Sequence, residues 1–474
     1  MDLMSKYEEL ANEKLYRWAI GVLRTITAAN LDTVLELHSN SLFRALASLQ
    51  TKEVLFKHCM DEYTTVRRSA VSHAFIEALT RGRSSGSTSG SSSTSSAHHY
   101  PAMERYSADI RRYVSDMLAF IHQTVVLERE TLSTLLKLCD QNRLTSEGTL
   151  QTVLSAITEG LTRPLKIRVE NSLISGNTSG GSGSKTTSNL KNPGDGTTKA
   201  SHEKTKSYFL VKSILAYHLQ AFSREPALLV EDAALVRLLR ELLLLADKVF
   251  YNALNYYCSA NVMERSHTSE TDAANQGGGG HQAIGEYLAL IADLLEIIKS
   301  SSSSNSTLLL DEQQHRLETE RILTATTGPY LKHVIIYASK LASSLESTVL
   351  GLDCALRLAQ TIGRYRFTED TAASLSRQID EQTEVLVNEQ CQALLSGLAA
   401  ASLYNAAVQL QQQAGDQQQQ QTSTVAASSF SGCDPLAVVS FLKNLDKFVG
   451  ISSAERKALT LPVINEGIHD SSTR

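Results

Sequence analysis

Apolar residues recur at helical spacing along almost every uninterrupted stretch of this chain. In the stretch after Tyr106, Ile110, Tyr113, Val114, Met117, Leu118 and Ile121 fall at i, i+3, i+4, i+7, i+8 and i+11. One continuous stripe of that kind is the signature of an amphipathic helix with one face against a core. Asp109, Arg111, Arg112, Asp116 and Gln123 fall off the stripe and are expected in solvent. Leu150, Val153, Leu154, Ile157 and Leu161 repeat the pattern, as do Leu235, Leu238, Leu239, Leu242 and Leu245. Tyr287, Leu288, Ile291, Leu294, Leu295 and Ile298 follow, then Ile379, Leu386 and Cys391. Strand-type alternation of useful length is missing, and prolines number only seven. The expectation is an all-α protein, an elongated rod of antiparallel helical bundles. Sequence repeats at 30–45 residues, which would signal a solenoid array, are not found.

Five tracts interrupt the stripes: residues 84–100, 175–206, 266–280, 300–306 and 414–432, rich in Ser, Gly or Gln. Such composition buries too little apolar area to offset ordering entropy, so the tracts read as disordered insertions at helix–helix turns. The resulting division is a helical segment 1–83, a linker 84–104, and a helical segment 105–174 jointed at Pro164. A linker 175–206 precedes a C-terminal helical bundle, 207–413, with insertions at 266–281 and 300–306. A Gln/Ser linker 414–434 and a terminal helix with a frayed tail, 435–474, complete it. Pro164 lies in ITEGLTRPLKIRVE (157–170), where it is expected to kink or break a helix.

Reaction chemistry finds little footing. GGSGSKTT (180–187) has Ser184 where a phosphate loop needs glycine before its lysine, and no strand precedes it. His98 and His99 are adjacent, not spaced as i, i+4 metal ligands. The six cysteines stand at least 37 residues apart, so they read as buried free thiols. Cys59 beside His58 could in principle serve a thiol hydrolase, but no orienting third group is apparent. Glu128/Glu130 and Asp380/Glu381 read as solvated helix faces. No catalytic residue, cofactor or metal site is expected. A net charge of −5 argues against a nucleic-acid partner. Apolar runs such as Leu242–Ala246 are far too short to span a bilayer, so a soluble, at most peripheral, protein is expected. The basic residues Arg67, Arg68, Arg163, Lys166 and Arg168 are the candidates for contact with acidic partners or anionic lipid, against the plainer reading of a solvated rim.

Several strings carry a resemblance. YEELANEKLYRW (7–18), VLFKHCMDEYTTVRRSAVSHAFIEALTRG (54–82), YVSDMLAFIHQTVVLERETLSTLLK (113–137), ITEGLTRPLKIRVE and RFTEDTAASLSRQIDEQTEVLVNEQ (366–390) occur in this order. Together they resemble the subunit-six family of the conserved oligomeric Golgi complex, across roughly residues 7–450. The family's long N-terminal coiled-coil region has no counterpart ahead of residue 7; a coiled coil encoded in frame upstream would restore the full architecture. The stretch after about 450 departs from the family pattern. What the resemblance implies is a helical-rod tether without enzymatic activity, acting in intra-Golgi retrograde vesicle tethering, Golgi organisation and protein transport. Implied partners are sister subunits five, seven and eight, Golgi SNARE helices and small GTPases, met at the cytosolic face of the Golgi membrane. A subunit of another vesicle tether, such as an exocyst-type one, would share fold and chemistry.

Overall fold

In the computed structural model, residues 2–26, 31–84, 99–178, 196–223, 228–266, 279–304, 309–339, 344–397 and 435–450 are described, with Tyr404, Asn405 and Val408. They are almost entirely helical, as the stripes predict. The chain divides into two compact units, Met1–Ala260 and Asn261–Arg474.

The first unit opens with α1 (Asp2–Thr25), α2 (Leu31–Leu49) and α3 (Glu53–Thr80). A two-residue antiparallel ladder and a 3-10 turn, Met103–Tyr106, lead into α4 (Ile110–Leu135) and the short α5 (Gln141–Ser146). Three long helices follow: α6 (Thr149–Thr178), α7 (Gly196–Ser223) and α8 (Ala234–Ser266). Asp109 caps α4 by accepting a hydrogen bond from the Arg112 N–H, satisfying a donor the first turn leaves open. The stripe then delivers Tyr113, Val114, Met117, Leu118 and Ile121 to the core, all buried. α6 packs against both α3 and α4, and every fourth residue from Ile157 to Leu173 on its inner face is buried. α7 packs on α4, which groups it with the N-terminal helices and not with a bundle starting at 207. The end of α2 is tied to the α4–α5 turn by Gln50, whose side chain both accepts from Asp140 N–H (2.6 Å) and donates to its carbonyl (3.3 Å).

Two expectations are narrowed here. α6 is continuous through Pro164, so of the kink or break expected there the break does not occur. The proline removes one backbone bond, to the Gly160 carbonyl, but Leu161, Leu165 and Val169 are all fully buried and carry the register across it. The tracts are also shorter than their composition suggests. Arg83 pairs with Tyr100 and Ser84 with His99, so the ends of the first tract form a clip. α6 extends to Thr178, α7 starts at Gly196 and α9 continues to Ser304. Serines and threonines enter these helices by donating their hydroxyls to the carbonyl one turn back, as Thr205 does to Ser201. The remaining parts of the tracts lie outside the described residues.

The second unit contains α9 (Gly279–Ser304), α10 (Leu309–Ala338), α11 (Ser344–Ile362), α12 (Glu369–Gly397) and α13 (Pro435–Gly450). α9, α10 and α11 pack on one another, and α12 packs on α11. Three tyrosines bolt the group together. Tyr287 of α9 donates to the Thr326 carbonyl of α10, and Tyr330 of α10 to the Cys354 carbonyl of α11. Tyr365, past α11, donates to the Ala292 carbonyl of α9. Beyond Leu375, α12 buries none of its side chains, and Cys391 is exposed. The expectation of uniformly buried thiols therefore holds for Cys59, Cys139, Cys258 and Cys354 only; Cys433 lies outside the described residues.

α4 and α7 also enclose a histidine pair. His218 is buried with its ring 5.4 Å from His122 and 6.2 Å from Phe222, and its Nδ1 has no hydrogen-bond partner among the described residues. Burial first, and His122 second, push its pKa down to about 4. The unfolded chain takes up this proton near pH 6.5, the ordinary histidine value. The folded one resists until about 4. Stability is thus fully present above about pH 6.5, declines as pH falls towards 4, and levels off below. The urea midpoint of the wild type should drop across this window, and His218→Leu should flatten the slope. An identical pH profile in the variant would contradict the assignment.

Candidate functional site

The five basic candidates sit on α3 and α6, and the structure uses four of them internally. Arg67 is buried, not solvated. Its Nε lies 3.0 Å from Glu128 Oε2 and its Nη2 2.5 Å from Glu128 Oε1, a two-pronged pair joining α3 to α4. Glu128 is buried as well, which corrects its reading as a surface acid; Glu130 is exposed. Both residues occupy core positions of their helices: Tyr63, Arg67 and Val71 on α3, and Val125, Glu128 and Leu132 on α4. The Tyr63 hydroxyl lies beside them, and burial together with the Glu128 charge raises its pKa.

Arg68 donates to the Ala156 carbonyl (2.8 Å) and pairs with Glu159, both on α6. Lys166 reaches Glu241 of α8 at 2.9 Å, and that pair raises its pKa. Arg168 holds Glu104 of the 3-10 turn at 2.9 Å. α6 is therefore clamped by charge to three neighbours. Arg163 is the exception among the five. It is exposed, with no ion-pair partner among the described residues, and Ile167 and Ile174 are exposed on the same face of α6.

The thiol-hydrolase arrangement does not form. Cys59 is fully buried and His58 exposed, since adjacent helical residues diverge by about 100°. Burial alone pushes the Cys59 thiol up to about 11, the reverse of what a nucleophile needs. No group of three or more His, Cys, Asp or Glu side chains could hold a metal ion among the described residues. An open groove between the starts of α4 and α7 and the second half of α6 mixes Glu104, Asp109 and Glu203 with Arg111, Arg168 and Lys204. It converges on no catalytic set. Among the described residues, no helix is long and apolar enough to cross a membrane.

A family described as "Conserved Oligomeric Golgi complex subunit 6, C-terminal" matches residues 1–179 and 199–473, nearly the whole chain. The chain belongs to this family. The human conserved oligomeric Golgi complex subunit 6 is 28% identical over 413 residues, covering 86% of this chain and 53% of the human protein. The Drosophila melanogaster subunit 6 is 25% identical over 409 residues, 85% of this chain and 54% of its own. The Arabidopsis thaliana subunit 6 is 32% identical over 188 residues, 37% of this chain and 25% of its own. The chain thus spans about half the length of the human and fly relatives. The subunit-six match stops at 179 and resumes at 199, so it skips most of the stretch between α6 and α7.

Proposed function

We propose that the chain is a non-enzymatic subunit of the conserved oligomeric Golgi tethering complex, acting in intra-Golgi retrograde vesicle tethering, Golgi organisation and protein transport. The observation that carries this reading is a family match running through both helical units, 1–179 and 199–473. Helical surfaces and a lack of reaction chemistry among the described residues agree with a protein that works by binding. In this reading the chain meets sister subunits five, seven and eight, Golgi SNARE helices and small GTPases at the cytosolic face of the Golgi membrane. Individually weak contacts of such a subunit add up through multivalency.

The test is recovery of the tagged full chain from cells, with imaging alongside. Sister subunits and Golgi SNAREs should co-purify, and the signal should overlap Golgi membranes. A folded chain without those subunits would overturn the reading, and plasma-membrane sites would favour an exocyst-type tether instead. Of the five basic candidates, Arg163 is the proposed contact, because it alone has no ion-pair partner among the described residues. Arg163→Glu should reduce recovery of a partner while leaving the melting temperature unchanged. Unchanged recovery would remove Arg163 from the interface.

A further inference from the structure

Two imidazoles that the fold brings together serve nothing in the reading above. His122 of α4 and His218 of α7 have their ring centres 5.4 Å apart, with the ring planes at 81°. His218 is only 7% exposed, and His122 is half-buried. Phe222 lies against both rings, 5.3 Å from His122 and 6.2 Å from His218, and Tyr217 lies 5.2 Å from His218. One helical turn from either histidine stand Leu118, Val126, Ile214 and Phe222, all apolar. The pair is thus the polar exception on an apolar seam where α4 meets α7.

A buried polar side chain is normally hydrogen-bonded. Here neither ring makes a hydrogen bond or ion pair among the described residues, and His218 Nδ1 is buried with nothing to bond. Packing alone would be served by leucine, without the penalty of an unmet nitrogen. The spacing fits a shared ligand instead. Two imidazoles on one tetrahedral zinc, at about 2.0–2.1 Å per bond, hold their ring centres about 5 Å apart. Donors that are all imidazole nitrogen suit zinc, copper or nickel, whereas magnesium and calcium call for oxygen. We infer that His122 and His218 form a two-histidine site for a divalent transition-metal ion of the zinc type, with water completing its coordination on the more open side, at His122. Such an ion ties α7 to α4, so the packing of α7 follows metal supply. Neither ring is steadied by a carboxylate or carbonyl, so the affinity is modest. The inference goes beyond the tethering reading and does not depend on it.

The probe is zinc chloride, added to the full chain without a histidine tag after metal is stripped with a chelator. A Cys391→Ser background removes the exposed thiol, itself a potential zinc ligand. Calorimetry should show saturable zinc binding, and the melting temperature should rise with zinc concentration as mass action requires. Magnesium should do neither. His122→Gln should weaken zinc binding at least about tenfold, since losing even an outer partner of a ligand costs that much. His218→Leu should abolish the zinc response. His58→Gln, at an exposed histidine, should change nothing. Because His122 is only half-buried, its variant reads the site even where the His218 variant fails to fold. No zinc binding by the intact chain overturns the inference. So does binding that His122→Gln leaves unchanged, which would mean an adventitious ion only, and so does an equal response to magnesium.

Discussion

Arg67→Ala should destabilise the first unit by about 3–5 kcal/mol, the usual penalty for stranding one half of a buried ion pair. The substitution leaves the Glu128 carboxylate in the core between α3 and α4 without its counter-ion. Glu128→Ala should be comparably harmful, because it strands the guanidinium. Arg67→Met combined with Glu128→Leu should recover most of the loss, since two apolar side chains of similar volume need no charge compensation. Urea denaturation of the wild type, Arg67→Met, Glu128→Leu and the double variant, read by circular dichroism, closes the cycle. Additive losses in the double variant would mean that the pair is not coupled. The pair contributes specificity as well, because a slip of α3 along α4 would bury two unmatched charges.

Gly160 gives the second large effect, with a sign that depends on one neighbour. Alanine in a helix interior is ordinarily favoured over glycine by about 1 kcal/mol. Here a β-carbon would stand 2.2 Å from Ser72 Oγ and 3.1 Å from Arg68 Cγ on α3. Ser72 Oγ is held by its hydrogen bond to the Arg68 carbonyl at 2.7 Å, so turning it aside forfeits that bond. Overpacking at such a contact costs about 1–3 kcal/mol, enough to reverse the helix preference. Gly160→Val should therefore lower stability by about 2–3 kcal/mol, and Gly160→Ala by less. In a Ser72→Ala background Gly160→Ala should become neutral or stabilising. Loss of equal size in both backgrounds would show that the crossing of α3 and α6 is not set by this contact.

The helical stripes were legible because every third or fourth apolar residue reports directly on burial. The family was legible because its strings depart from anything helical composition alone produces. Arg67 and Glu128 show where such reading stops. Each residue by itself is most simply solvated, and only together, each in the apolar register of its own helix, do they announce a buried pair. The signal was present: Arg67 shares a face with Tyr63 and Val71, and Glu128 with Val125 and Leu132. What was missing is the knowledge that α3 and α4 are neighbours. The helix continues past Pro164 for a related reason, since one lost hydrogen bond is weighed locally while Leu161, Leu165 and Val169 are anchored by tertiary packing. The four intramolecular clamps from the basic residues of α3 and α6 likewise depend on partners far away in sequence, such as Glu241 for Lys166.

The small clip that joins Arg83 to Tyr100 and Ser84 to His99 has a practical reach beyond the fold. It brings the two ends of residues 85–98 side by side, whatever lies between them. Closing a longer loop across a fixed gap adds only about 0.6 kcal/mol for each doubling of its length. The position is therefore a natural splice point: a fluorescent protein or an affinity domain with neighbouring termini can be inserted there.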